Sequence, residues 1–234
     1  MIYKKDIMEE EEEEEEEEVC KIVLIGEAGV GKTCIISRFI NNTYRENNIT
    51  TTGASYASKV VTFPEYGNRK INFEIWDTAG QEKFRSINQL FYKEASICIL
   101  VYDMTRESTF NALQDYWCQQ ILDNTPKNTV VGIAGNKCDL IENEKVSEEK
   151  GKNLANEINA IYESTSAAKG IGVESLFHNL GCKFIDPNFK VGENSNNEYK
   201  TQINKETNQN KNNNKSIRLV HKKNSDKQKK KKCC

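Results

Sequence analysis

Hydrophobic and polar positions fall into clear periods between residues 19 and 185, and the periods give out on either side. Val19-Cys20-Lys21-Ile22-Val23-Leu24-Ile25 is a β-prone apolar run, and Cys34-Ile35-Ile36-Ser37-Arg38-Phe39-Ile40 has helical spacing. Ala54–Phe63 and Lys70–Trp76 read as paired strands around Pro64–Arg69. The second of them alternates polar and apolar residues, as a half-solvated or edge-side strand does. Ala95–Val101 predicts a buried parallel strand. Phe110, Leu113, Trp117 and Ile121 then mark a helix with Ser108 as its N-cap. Val130–Gly135 predicts the next strand, and a helix follows from Ser147 to about Asn159 with acids in its first turn. Ile161–Thr165 predicts a short last strand. Val173–Ile185 predicts a closing helix with Leu176, Phe177, Leu180 and Phe184 on one face. Strands that alternate with helices in this way make an α/β fold.

At 234 residues the chain fits one domain of roughly 160–170 residues with tails. Its net charge of −2 is unevenly spread. Residues 1–20 carry −9, mostly from Glu9–Glu18; residues 186–234 carry +8; the body between them carries −1. Residues 1–18 are therefore expected to be an acidic, disordered leader, because ten successive carboxylates repel one another and bury nothing. From Asp186 the chain turns Asn/Lys/Gln/Ser-rich and is expected to be a disordered tail ending Lys229-Lys230-Lys231-Lys232-Cys233-Cys234. No run of 18 apolar residues predicts a membrane span, and the N-terminus lacks the apolar core of a secretory signal. Six cysteines (20, 34, 98, 118, 138, 182) are scattered without C-x-x-C spacing, which reads as reduced cytosolic thiols. His178 and His221 have no carboxylate or cysteine partner evident at ligand spacing, so neither is expected to have a role.

The chemistry is concentrated at the ends of the predicted strands. Gly26-Glu27-Ala28-Gly29-Val30-Gly31-Lys32-Thr33 fits G-x-x-x-x-G-K-[ST] between a strand and a helix. In that context backbone N–H groups cradle phosphates and the helix N-terminus faces the anion. Lys32 is expected to reach the β- and γ-phosphates, and the Thr33 hydroxyl to bind Mg²⁺. The loop alone serves ATP or GTP equally. Asp77-Thr78-Ala79-Gly80-Gln81 leaves a strand at its carboxyl end, where Asp77 can hold a Mg²⁺-bound water and Gly80 lets backbone approach the γ-phosphate. Asn136-Lys137-Cys138-Asp139 ends another strand. The Asp139 carboxylate can accept from guanine N1 and N2, a donor pair that adenine lacks on that edge. Lys137 can lie over the base, and Asn136 can tie this loop to the phosphate loop. Base selection therefore favours GTP.

The phosphate loop, D-T-A-G-Q, N-K-C-D and Ser166-Ala167, in one order, resemble the Ras superfamily of small GTPases over residues 19–185. Trp76–Phe84 and the terminal Cys-Cys are similar to the Rab family, and Thr52–Tyr56 to its early-endosomal branch. The resemblance implies a P-loop small G-protein fold, with a six-stranded, mostly parallel sheet flanked by five helices, over a 19–185 GTPase domain. The leader (1–18) and a hypervariable tail (186–234) lie outside it. It implies GTP or GDP with Mg²⁺ as ligands. The implied nucleotide contacts come from Glu27 through Cys34, Tyr44, Thr51, Gly80, Asn136, Lys137, Asp139 and Ser166-Ala167-Ala168. Tyr44 packs edge-on against guanine, and the Ala167 N–H binds the guanine oxygen. The implied metal set is Thr33, Thr51 and, through water, Asp77. Gln81 orients the attacking water, beside Lys32 and Thr51.

Tyr56, Trp76 and Phe91 match the aromatic triad that Rab effectors read, although composition alone makes them ordinary core aromatics. Cys233 and Cys234 match the Rab pattern for two geranylgeranyl groups. The implied partners are a GDP-dissociation inhibitor or escort protein, an exchange factor, an activating protein, GTP-dependent effectors and a membrane. No nucleic acid is among them. The implied location is the cytoplasmic face of intracellular, endosomal-type membranes, with a cytosolic pool. Ala28 departs from the glycine of Ras and the serine of many Rabs. Thr52 replaces the usual isoleucine, the hairpin between the switches is about three residues longer, and Ala168 stands where the family has lysine. Arg45 lies beside Tyr44, too far from Thr51 to act as an arginine finger in cis, so an activating protein in trans is expected. A non-cycling, GTP-loaded membrane tag is the competing expectation; Ala28 favours it and Gln81 opposes it.

Overall fold

The computed structural model describes residues 18–45, 51, 55–78, 91 and 93–192. The chain divides into two units at Asn188, and of the second, Phe189–Cys234, residues 189–192 are described and include a turn.

In the first unit six strands form one sheet. They are β1 (Glu18–Ile25), β2 (Ser55–Phe63), β3 (Arg69–Asp77), β4 (Ile97–Asp103), β5 (Val130–Asn136) and β6 (Ile161–Thr165). Their order is β2-β3-β1-β4-β5-β6, with β2 antiparallel to β3 and every other pairing parallel. The six-stranded, mostly parallel sheet implied by the resemblance is present. β3 lies inside the sheet, between β2 and β1, so of the two expectations for it the half-solvated strand is the one found, and the edge-side one is not. Its alternation of buried and part-exposed residues reports one covered face; it carries no information on how many neighbours the strand has. β1 begins at Glu18, the last of the ten glutamates, because Glu18 pairs with Ile71 in the ladder and its carboxylate meets Arg69 at 2.7 Å.

Five α-helical segments lie among the described residues: α1 (Lys32–Asn41), α2 (Glu107–Ala112), α3 (Cys118–Asn124), α4 (Glu148–Glu157) and α5 (Val173–Ile185). Ser147 caps α4 as expected, accepting from the Lys150 N–H at 3.3 Å. Ser108 does not cap α2. The cap position falls on Arg106, and the first turn is held instead by Thr109, whose Oγ1 donates to the Arg106 carbonyl and accepts from Asp103 N–H. A π-helical turn, Leu113–Trp117, joins α2 to α3 without a break, so Phe110, Leu113, Trp117 and Ile121 all stay buried despite the inserted residue.

Successive side chains of β1 point to opposite faces. Val23 and Ile25 join Leu100, Tyr102, Phe110, Leu113 and Leu154 in one core. On the other face Phe39 of α1 stacks on Phe177 of α5 (centroids 3.8 Å apart), with Phe73 and Phe63 beyond. Phe184, expected on this face, is only half-buried. A fully buried Leu, Ile or Phe contributes about 1.5–3 kcal/mol, so these two faces hold the sheet rigid under its loops. Strand order reverses at β1, which has β3 on one side and β4 on the other. In open α/β sheets the ligand crevice lies beyond the carboxyl ends of the strands at such a point.

Candidate nucleotide site

The β1–α1 loop leaves the sheet at that crevice. Gly26 and Gly31 adopt φ of 151° and 101°, conformations that favour glycine, and each also lacks room for a side chain. A Cβ on Gly26 would meet the Val101 carbonyl, and one on Gly31 the Asn136 amide. The loop is closed from inside by Lys32, whose Nζ donates to the carbonyls of Gly26 (2.7 Å) and Glu27 (3.1 Å). Lys32 is 5% exposed. Burial pulls its pKa down to about 8, against the opposing charges of Asp77 and Glu27. A buried cation whose hydrogen bonds go to two loop carbonyls, at the start of α1, is built to receive an anion.

Thr33, Thr51 and Asp77 meet beside it. Thr33 Oγ1 donates to Asp77 Oδ2 at 2.6 Å and lies 2.8 Å from Thr51 Oγ1, which is 3.4 Å from the same carboxylate oxygen. Burial raises the Asp77 pKa, and the Thr33 hydroxyl, Lys32 and the Thr51 hydroxyl offset this in part. Asp77 Oδ1 is buried and has no partner among the described residues. Two hydroxyls and a carboxylate with a spare buried oxygen are hard oxygen donors that fit Mg²⁺.

At the far end of the crevice Asn136, 2% exposed, joins three segments. Its Nδ2 donates to the Val30 carbonyl at 2.7 Å, and its Oδ1 accepts from Thr165 Oγ1 (3.2 Å) and the Ala167 N–H (3.3 Å). Arg38 of α1 ties the last turn down, donating to the carbonyls of Ala167 (2.8 Å) and Ala168 (3.1 Å). Between the two ends lies a cavity of about 620 Å³, within the range of nucleotide-sized pockets. It is bordered by the loop residues Ala28, Gly29 and Gly31–Cys34, by Tyr44 and Thr51, by Asn136, Lys137 and Asp139, and by Ala167 and Ala168. Of the remaining expected residues, Val30 is buried with its carbonyl on Asn136, and Ser166 is buried with its Oγ accepting from Lys169 N–H. Gly80, Gln81, Cys233 and Cys234 lie outside the described residues.

Three residues of the site went unnoticed in the sequence. Asp103 ends β4 just as Asp77 ends β3, a signal lost when that strand was read to stop at Val101. Its carboxylate takes Lys137 Nζ at 2.7 Å and Arg106 Nε at 2.9 Å. Burial works against its charge, but Lys137 and Thr105 hold its pKa below the ordinary carboxylate value. Lys137, at φ 68°, thereby has its stem fixed along the cavity wall. Arg106 also donates to the Ala28 carbonyl at 3.1 Å, bracing the phosphate loop. Trp117 of the π turn donates from Nε1 to Glu27 Oε1 at 3.1 Å. Nothing in the linear spacing joins a tryptophan to a loop 90 residues away.

Tyr56, Trp76 and Phe91 form a run of aromatic contacts, with centroids 5.3 Å and 5.6 Å apart. Tyr56 is 51% exposed and is not a core aromatic, whereas Trp76 and Phe91 are part-buried and pack against the core.

The sequence profile of the Ras family matches residues 21–186. Human Ras-related protein Rab-22A is 43% identical over 157 residues, covering 67% of this chain and 79% of the relative. Human Rab-30 is 39% identical over 165 residues (70% and 79%), and human Rab-31 is 38% identical over 179 residues (76% and 88%). The doubly covered sheet, the glycine loop with its buried lysine and the cavity beyond β1 define a P-loop GTPase, and the chain belongs to the Ras family. Within it, the chain is a Rab GTPase of vesicle transport.

Proposed function

We propose that this chain cycles between GDP and GTP forms, and that its GTP form recruits effectors through Tyr56, Trp76 and Phe91. The observation that carries the reading is the meeting of Thr51 with Thr33 and Asp77 over the phosphate loop. Thr51 comes from the long polar stretch between α1 and β2, and β2 begins four residues later. A γ-phosphate that holds Thr51 therefore acts on the strand bearing Tyr56. Thr33, Thr51 and, through water, Asp77 would hold Mg²⁺, which would supply neutralisation of the phosphate oxygens. Lys32 offsets charge on the β- and γ-oxygens, and Asp139 selects guanine. Gln81 orients the attacking water. The water oxygen bonds to the γ-phosphorus, the bond to the β–γ bridging oxygen breaks, and GDP and phosphate leave. An activating protein accelerates this step in trans, an exchange factor reloads the site, and a GDP-dissociation inhibitor or escort protein carries the lipidated form.

In this reading Cys233 and Cys234 carry two prenyl chains, which hold a membrane where one chain binds only reversibly. The four preceding lysines add on the order of 1 kcal/mol each at an anionic leaflet. The early-endosomal resemblance of Thr52–Tyr56 supports an endosomal-type membrane. Single-turnover hydrolysis tests the cycle: wild type is expected to convert bound GTP slowly unaided, and Gln81→Leu to lose 10²- to 10³-fold of the stimulated rate, about 2.7–4 kcal/mol. Equal rates for the two, with and without an activating protein, remove Gln81 from the reaction. A wild type that never hydrolyses GTP returns the non-cycling tag. For the anchor, replacing both terminal cysteines by serine is expected to release the protein from membranes whichever nucleotide is bound.

A further inference from the structure

At the opposite edge of the sheet from the nucleotide, the 3₁₀ turn Pro64–Tyr66 between β2 and β3 lies against α5. β3 runs from Arg69 at that edge to Asp77 at the other, so about 26 Å of strand separates the two. His178 and Cys182 are one helical turn apart on α5 and share a face. The turn brings Glu65 to both. Glu65 Oε1 lies 2.7 Å from His178 Nε2 and 3.2 Å from Cys182 Sγ, and Sγ is 3.7 Å from His178 Nδ1 and 3.9 Å from Nε2. The expectation that His178 lacks partners at ligand spacing is therefore wrong. Cys182 stands at i+4, and Glu65 arrives from 117 residues away along the chain from Cys182.

We propose that Glu65, His178 and Cys182 bind a divalent cation of the zinc type and clamp the β2–β3 turn to the C-terminal helix. Among the described residues this is the one group of three His, Cys, Asp or Glu side chains close enough to share an ion. Tetrahedral zinc, with bonds of about 2.0–2.3 Å, needs donor atoms about 3.3–3.6 Å apart. The sulfur–oxygen and sulfur–nitrogen separations already bracket that range. The histidine–carboxylate separation must open by about 0.6 Å, and Glu65, on an exposed turn, has room to do so. The His178 ring is held in place by stacking on Phe63, centroids 5.6 Å apart. Exposure falls from Glu65 (37%) through His178 (17%) to the buried Cys182, which gives an ion a way in and a sulfur at the bottom.

Three protein donors leave one position for water. A thiolate and an imidazole select against Mg²⁺ and Ca²⁺, which take oxygen ligands, so this site and the nucleotide site sort different ions. On binding, Cys182 gives its thiol proton to solvent, as does His178 any proton on the nitrogen that ligates, while the metal–sulfur and metal–nitrogen bonds form. Glu65 exchanges the hydrogen bonds it accepts for a metal–oxygen bond.

The test uses the reduced full chain, loaded with GDP and Mg²⁺, stripped of transition metals and titrated with Co²⁺ as the probe. The expected result is one equivalent bound, with a thiolate-to-cobalt charge-transfer band in the near ultraviolet and d–d bands in the visible. Cys182→Ser is expected to abolish the charge-transfer band. Glu65→Gln and His178→Gln are expected to weaken binding at least tenfold. Glu65 is exposed, so its variant keeps the decision open even if the Cys182 variant fails to fold. No band in the wild type reduces the group to a hydrogen-bonded cluster. A band that survives in Cys182→Ser belongs to other thiols, and equal affinity in Glu65→Gln and wild type removes the turn from the site; each of these overturns the proposal. None of the readouts depends on GTP hydrolysis.

Discussion

Asn136→Ala is the substitution that best separates the joinery of this site from its chemistry. The side chain touches no cavity end alone; it links the Val30 carbonyl, the Thr165 hydroxyl and the Ala167 N–H through bonds of 2.7, 3.2 and 3.3 Å. Alanine leaves all three groups without that partner in a place where Asn136 itself is 2% exposed. Each unsatisfied buried group costs about 1–3 kcal/mol, so the lower end of the sum is about 3 kcal/mol. Water entering the space left by the amide recovers part of this loss. Two of the orphaned groups belong to the loops that hold the phosphates and the base, so nucleotide occupancy bears a share of the loss. If half of it does, about 1.5 kcal/mol, dissociation of bound GDP speeds about tenfold. Stopped-flow displacement of a fluorescent GDP analogue measures that rate, and thermal unfolding of the GDP-loaded protein measures the remainder. A dissociation rate within twofold of wild type, with a melting temperature several degrees lower, would refute the reasoning: Asn136 would then hold the fold together without coupling the two loops.

Three further outcomes follow from the same geometry. Asp139→Asn is expected to weaken GTP and GDP by about 1–3 kcal/mol per lost bond and to gain xanthine nucleotides, whose ring oxygen suits an amide donor; calorimetry reads both. Lys32, near 8 in the folded protein without ligand and near 10.5 when unfolded, binds fewer protons folded than unfolded between those values. Stability of the ligand-free protein therefore rises with pH across that window, and nucleotide binding at pH 8–9 takes up a proton. Calorimetry in buffers of different ionisation enthalpy is expected to detect the uptake, and Lys32→Met to abolish it. In Gly181→Ala the new methyl carbon would meet Phe63 Cζ and lie 2.9 Å from Phe73 Cζ, which is expected to cost about 1–3 kcal/mol in urea unfolding with nucleotide affinity unchanged.

What could be read from the sequence divides along the range of the forces involved. The phosphate loop, Asp77 and Asn136–Asp139 were legible because each is a local pattern at the end of a local apolar run, and the sheet carries those ends to one edge. The limits of α5 were legible for the same reason: Gly172, at φ 68°, starts it, and Asp186 leaves helical geometry. Asp103 was missed by two residues of strand length. The π turn was invisible because inserting one residue leaves the same four side chains facing the core. Trp117 on Glu27 and Glu65 on His178 and Cys182 depend on where whole elements pack, and no spacing within a single element encodes that. For β3 the half-solvated and edge-side positions both stayed open, because alternation of side chains registers the solvent on one face and is silent about the ladder on either flank.

The chain has two tryptophans, and the structure gives them unlike posts. Trp117 is sealed in the core with its indole N–H on Glu27 of the phosphate loop, whereas Trp76 lies in the half-exposed aromatic run between Tyr56 and Phe91, with Lys21 Nζ 5.8 Å from its ring. Indole emission responds to hydrogen bonding and to nearby charge, so each residue is a built-in dye for a different event. With Trp76→Phe the remaining signal reports entry and exit of phosphate at the loop, and with Trp117→Phe it reports the docking surface. The delay between the two traces after mixing with GTP would time how long a filled loop takes to be felt at the aromatic face.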